Sequence, residues 1–199
     1  MKKKLFILVL GYTLSLDVAA QEPSKEKLVA TCVACHGMQG ISSNPQWPNL
    51  ASQHANYLAK QLRNFKETDV RPSDIMRSIA AELNEQDIIN IALYYSLLPI
   101  PSAQRPQPRS KRGEELYRNG DFKQHIPACI ACHGPRGTGN KQAGFPLLSG
   151  QHSEYTVLQL TAFKLKRRNN DIHGIMRDIS KRMTKDDMVA VAEYIATLH

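Results

Sequence analysis

Two copies of one pentapeptide limit what this chain can fold into. Cys32-Val33-Ala34-Cys35-His36 returns as Cys129-Ile130-Ala131-Cys132-His133, and the two runs use all four cysteines of the 199 residues. Cys-x-x-Cys-His is the attachment signature of a c-type haem. Two thiols on one helical turn can each add to a porphyrin vinyl group, and the adjacent histidine is then held under the iron. The iron takes a second axial ligand, whose identity largely sets the reduction potential. The pattern therefore predicts two covalently bound haem c groups. Cys32, Cys35, Cys129 and Cys132 are the attachment points, and His36 and His133 are axial ligands.

Other uses of Cys-x-x-Cys fit less well. Zinc sites made of two such pairs space them by about 15–20 residues, whereas 93 residues separate Cys35 from Cys129. Zinc also has no use for a histidine directly after each pair. A thioredoxin-like pair expects a strand–helix–strand setting, and the surroundings of both motifs read as helical. Plain disulfides suit an oxidising compartment but leave both histidines unexplained.

The N-terminus carries Lys2-Lys3-Lys4, an apolar run from Leu5 to Leu16, and small residues at Ala19-Ala20. This is the layout of a secretory signal cleaved after Ala20, and the run is too short to span a bilayer as a helix. Export and haem attachment agree on the periplasm, where nucleic acid is not a partner to expect. Without residues 1–20 the formal charge falls from +8 to +6, a surface that can steer toward acidic partners or anionic lipid.

The chain repeats itself. Pro48-Asn49-Leu50-Ala51-Ser52-Gln53-His54 matches Pro146-Leu147-Leu148-Ser149-Gly150-Gln151-His152, and Tyr57, Gln61 and Phe65 match Tyr155, Gln159 and Phe163 at the same offset of 98. Ile75-Met76-Arg77 matches Ile175-Met176-Arg177. Between the halves, residues 99–110 are rich in proline, which lacks an amide donor and reads as an extended linker. The expected organisation is a signal at 1–20, one domain at 21–98, the linker at 99–110 and a second domain at 111–199. No segment sustains period-two alternation, so the expected class is all-α. In each half a helix leads to the motif, a second carries the matched tyrosine and phenylalanine, and a last one starts at Asn84 or Thr184 with Asp87 or Asp187 in the capping position.

Met76 and Met176 stand 40 and 43 residues after His36 and His133, in stretches read as loops between helices. A thioether is a soft neutral ligand that raises the potential relative to bis-histidine ligation. The matched placement makes Met76 and Met176 the expected distal ligands. The rivals are His54 and His152, also matched, whose place beside a helix start suits a surface or cap position. Lys164, Lys166, Arg167 and Arg168 form a basic cluster that could orient a partner.

These features resemble the class I cytochrome c fold, duplicated as in the two-haem cytochrome c4 family. The resemblance rests on both Cys-x-x-Cys-His-Gly runs, the Pro-x-Leu segments followed by glutamine, the tyrosine and phenylalanine helices and the two methionines. It implies two tandem class I cytochrome c domains and a periplasmic, often membrane-associated electron carrier. It also implies redox-protein partners: an electron donor complex and a terminal oxidase. The loop prolines Pro48 and Pro146 would orient the axial histidines through their carbonyls. The alternatives are a haem subunit of a larger oxidoreductase and a dihaem peroxidase.

Domains of 80–90 residues have marginal cores by themselves, so a covalently held haem should complete each one. Removal of haem is expected to abolish most of the helical circular dichroism signal, measured on the same sample before and after.

Overall fold

A computed structural model describes residues 25–67, 69–100 and 110–199. The expected export signal and most of the linker lie outside the described residues. The first half contains α1 (Lys25–His36), α2 (Ala55–Lys66), α3 (Asp74–Ala81) and α4 (Glu85–Ser96). The second contains α5 (Lys111–Asn119), α6 (Ile130–His133), α7 (Ser153–Lys164), α8 (Ile175–Arg182) and α9 (Lys185–Ala196). Among the described residues there are isolated bridges but no strands, in keeping with the all-α expectation.

Each half builds its own core. Val29, Leu58, Ile88, Ile91 and Tyr95 pack together in the first, and Leu116, Tyr117, Leu160, Val191 and Ile195 in the second. The last helix starts where the caps dictate. Asn84 accepts from the Asp87 amide while Asp87 accepts from the Asn84 amide, and Thr184 and Asp187 do the same. Each box satisfies two amides that the first helical turn cannot pair internally.

Two features depart from the sequence reading. Met76 and Met176 are not in loops: they sit in the first turns of α3 and α8. These helices are eight residues long, too short for a periodic pattern to announce, and only their caps and packing stabilise them. The lead-in to the second motif is also broken. Gly120, at a φ of 74°, ends α5, its amide bonding the Glu115 and Leu116 carbonyls. The second motif then stands on the separate single turn α6, whereas the first closes the continuous α1.

The helices of each half pack within that half, and the halves meet through loops and through side chains of α2 and α7. The contact is reciprocal. Gln53 Nε2 donates to the Leu147 carbonyl at 2.9 Å and its Oε1 accepts from the Leu147 amide at 3.0 Å. Gln151 does the same for Asn49, at 3.0 and 2.9 Å. Matched positions of the repeat thus exchange bonds across an approximate twofold axis. All four residues are almost fully buried, where an unpaired backbone group is costly.

His54 and His152 belong to this contact, not to the surface. Both are buried, and His152 Nε2 lies 3.0 Å from the Ser42 carbonyl of the other half. A surface reading failed because the cap position that would be wet in one isolated domain is covered by the second.

Gly113 on α5 marks a tight helix crossing. A Cβ there would stand 2.0 Å from the Ala190 carbonyl oxygen of α9. Gly113→Ala should therefore destabilise the second half by about 1–3 kcal/mol, although alanine is intrinsically the better helix former by about 1 kcal/mol. Thermal unfolding of the holoprotein would record the loss, and a gain in stability would refute the crossing. Gln53→Ala orphans the buried Leu147 amide and carbonyl. It should split a single unfolding transition into two, resolvable by calorimetry.

Candidate haem-binding sites

His36 ends α1 and His133 ends α6, and both are buried. His36 Nδ1 lies 2.9 Å from the Pro48 carbonyl and His133 Nδ1 lies 3.0 Å from that of Pro146. A carbonyl only accepts, so each Nδ1 carries the proton and each Nε2 keeps its lone pair. Burial depresses both histidine pKa values, against the pull of the carbonyl bond. The result is a pair of neutral, oriented imidazoles, the state in which the ring can ligate a metal.

The cysteines are free and half-buried. Burial pushes the Cys129 thiol up to about 11 and the Cys32 thiol upward as well, so both stay protonated at neutral pH. Helical geometry aligns Cys32, Cys35 and His36 on the last turns of α1. In the second half Cys129 caps the turn that carries Cys132 and His133.

Each methionine is presented by its own device. Ser73 caps α3, its Oγ accepting from the Met76 amide at 3.4 Å. Ahead of α8 the chain passes through a 3-10 turn at Ile172–Gly174, and Gly174 takes up a left-handed conformation. Asp171 then accepts from the Arg177 amide at 3.0 Å and from its Nε at 2.7 Å, bracketing Met176. In the first half the corresponding arginine, Arg77, only approaches Asp74, at 3.9 Å.

One continuous cavity of about 680 Å³ joins the two halves. His36, Cys32, Cys35 and Met76 line it on one side; His133, Cys129, Cys132 and Met176 line it on the other. Leu58, Leu62 and Phe65 of α2, with Leu160 and Phe163 of α7, supply apolar wall, and Trp47 closes one edge. A neutral imidazole, a thioether and two thiols on an apolar cavity fit a c-type haem in each half. No group of three or more His, Cys, Asp or Glu that could hold a bare metal ion occurs among the described residues. His54 and His152 lie at the domain contact and are not among the residues that line this cavity.

Of the basic cluster, Lys164, Lys166 and Arg167 are exposed, and Arg168 is not. Lys164 Nζ donates to the Met183 carbonyl at 2.6 Å, and Arg168 is buried, its guanidinium 2.8 Å from Tyr57 Oη of the other half. Arg71 is buried in the matching way, 2.9 Å from Tyr155 Oη. The tyrosines read as apolar markers of α2 and α7, and Arg71 went unmarked. The available signal was an arginine recurring between the matched phenylalanine and methionine of each half.

The cytochrome c family profile matches residues 25–96 and 110–199. Cytochrome c4 of Thiocapsa roseopersicina is 40% identical over 184 residues, 92% of this chain and 94% of the relative. A "thiosulfate dehydrogenase electron acceptor" of Thiomonas intermedia is 38% identical over 172 residues, 84% of this chain and 78% of that one. The crystal structure of reduced recombinant cytochrome c4 from Pseudomonas stutzeri superposes with a TM-score of 0.83 at 38% identity, covering 88% of this chain and 97% of that chain. The repeated fold, the paired haem-fitting sites and these likenesses make the chain a member of the cytochrome c family, in its dihaem cytochrome c4 branch of electron carriers, with one covalently bound haem c per domain.

Proposed function

We propose that this electron carrier works in the periplasm of a respiratory chain, taking electrons from a donor complex and passing them to a terminal oxidase. Export would follow cleavage of the signal near Ala20, leaving domains at 21–98 and 111–199 joined by a linker at 99–110. In this reading Cys32 and Cys35, and Cys129 and Cys132, carry the haems. His36 and Met76 are the axial pair in the first half, and His133 and Met176 in the second.

Bound haem supplies reversible one-electron chemistry at iron. The chain supplies the rest. The Pro48 and Pro146 carbonyls hold each imidazole in one tautomer and one orientation, which strengthens it as a donor. Ser73 and Asp171 fix the turns that bring the thioethers. The apolar walls of α2 and α7 exclude water and favour the less charged, reduced centre. With His36 and Met76, or His133 and Met176, holding the bound iron, no position would be left there for a substrate. The observation that carries this reading is the twice-repeated pairing of a proline-held imidazole with a methionine in the first turn of a short helix, on a single cavity.

Contacts with partners would be small and short-lived, as electron-transfer encounters are. A second reading, a dedicated haem partner of a larger oxidoreductase, is favoured by the likeness to the thiosulfate dehydrogenase electron acceptor. A dihaem peroxidase needs an open distal position with acid–base groups beside it. Asp171, the buried carboxylate of the Met176 segment, is already engaged by Arg177.

Potentiometric titration of the holoprotein, followed through the haem bands, should give two high-potential steps with the ferric methionine–iron band lost on reduction. Met76→Ala and Met176→Ala should each remove part of that band and lower one step. One low-potential step in the parent protein would overturn the ligand assignment. Copurification with a fixed dehydrogenase would favour the second reading over the free carrier.

A further inference from the structure

One element of the second half has no counterpart in the first. Between α5 and the second motif the chain makes a hairpin over residues 121–126, in which Asp121 and Ile126 exchange both backbone bonds, at 2.8 and 2.9 Å. In the first half α1 runs unbroken into its motif. The hairpin carries Phe122, 93% exposed and the most exposed of the large apolar side chains described. A single exposed apolar residue is common. What sets this one apart is how firmly it is held and where.

Asp121 accepts from the Gln124 amide at 3.0 Å and from Arg112 at 2.7 Å. Ile126 is buried. Arg182 of α8 donates to the His125 carbonyl at 2.8 Å, and His125 is fixed in a left-handed conformation at a φ of 54°. A Cβ on Gly120, at the base, would stand 2.3 Å from the Ile126 carbonyl oxygen. A side chain presented on so fixed a backbone gives up little freedom when a partner covers it. The hairpin also spans the second haem site. Pro127 at its base lines both the recess beside Phe122 and the haem cavity, and the attachment residue Cys129 follows two positions on. Arg182, on the other side, belongs to the helix that carries Met176.

Charge separates the halves as well. Residues 25–98 hold seven Lys and Arg against seven Asp and Glu, whereas residues 111–199 hold fourteen against nine, a formal excess of +5. Near the hairpin Asp121 and Asp178 are paired with Arg112 and Arg182. Lys123, beside Phe122, is exposed.

We propose that the 121–126 hairpin is the docking surface through which the second domain exchanges electrons with an acidic one-electron carrier protein, with Phe122 at its apolar centre and Lys123 in its charged rim. This rests on the electron-carrier reading above and adds the face used and the chemistry of the partner. An aromatic centre with a polar rim is the usual anatomy of a protein contact. The basic excess of this half steers an acidic partner toward it.

Flavodoxin, an acidic protein with an exposed flavin, is the probe. Its hydroquinone anion gives one electron to a ferric haem and becomes the neutral semiquinone, with no proton released. Stopped-flow mixing with the ferric holoprotein reads the second-order rate, and reduced free flavin mononucleotide is the donor that needs no docking. Phe122→Ala should slow flavodoxin about tenfold and leave the free-flavin rate unchanged. Lys123→Glu should slow it too, and should flatten the fall of the rate with ionic strength. Leu97→Ala, which truncates an 83% exposed apolar side chain of the first half, should change neither rate. A Phe122→Ala rate equal to the parent's, an equal loss in Leu97→Ala, or a parent rate that rises with salt would overturn the docking surface. So would Phe122-dependent dimers in sedimentation, or Phe122-dependent binding to phosphatidylglycerol vesicles, since either gives the hairpin a different occupant. A parent protein that free reduced flavin cannot reduce would instead overturn the electron-carrier reading, so the two failures are distinguishable.

Discussion

A buried imidazole can serve as a metal ligand only if it stays neutral and keeps one nitrogen free, and that constraint organises both halves of the molecule. The Pro48 and Pro146 carbonyls meet it, and proline suits the position because it has no amide of its own to satisfy. The residue after each proline, Asn49 or Leu147, presents its amide and carbonyl to a glutamine of the other half. The loop that orients the histidine is therefore the loop that joins the domains. A disturbance of the contact therefore reaches the residue beside the histidine's hydrogen-bond partner.

The same economy recurs along α2 and α7. One face of each helix gives apolar side chains to the cavity, and its tyrosine sends a hydroxyl to the arginine of the opposite domain. A tyrosine serves here where a phenylalanine could not, because its body is apolar and its tip needs a partner. The site is sealed from water and crossed by polar bonds without leaving the tyrosine tips unpaired.

The halves are similar but not equal. The first holds its methionine by a serine cap and the second by a carboxylate–arginine bracket with a left-handed glycine before it. The first motif ends a continuous helix, and the second stands on a single turn after a glycine stop. In the second half Tyr117 Oη donates to the Gly134 carbonyl beside the motif at 2.7 Å. The buried Tyr95 of the first half faces the Cys32 thiol instead. Differences of this kind in rigidity and hydrogen bonding around a ligand are what separate two potentials on one fold.

The sequence by itself determined the parts that depend on covalent chemistry and local periodicity. Cys-x-x-Cys-His allows one spacing of thiols and ligand, the repeat declares two domains, and Asn84 and Thr184 set their helix starts through side-chain bonds only three residues long. The short helices under Met76 and Met176 were not legible, because eight residues give too few turns for a pattern to stand out. The burial of His54, His152, Arg71 and Arg168 was not legible either. Each reads as a surface residue within its own half, and only the packing of one half on the other removes the water. What the tertiary structure alone decided is the meeting of the two repeats: glutamines that looked like ordinary polar residues became the bonds across the axis, and two separate arginines became neighbours. Those contacts join residues about a hundred positions apart, a separation over which no local rule of sequence operates.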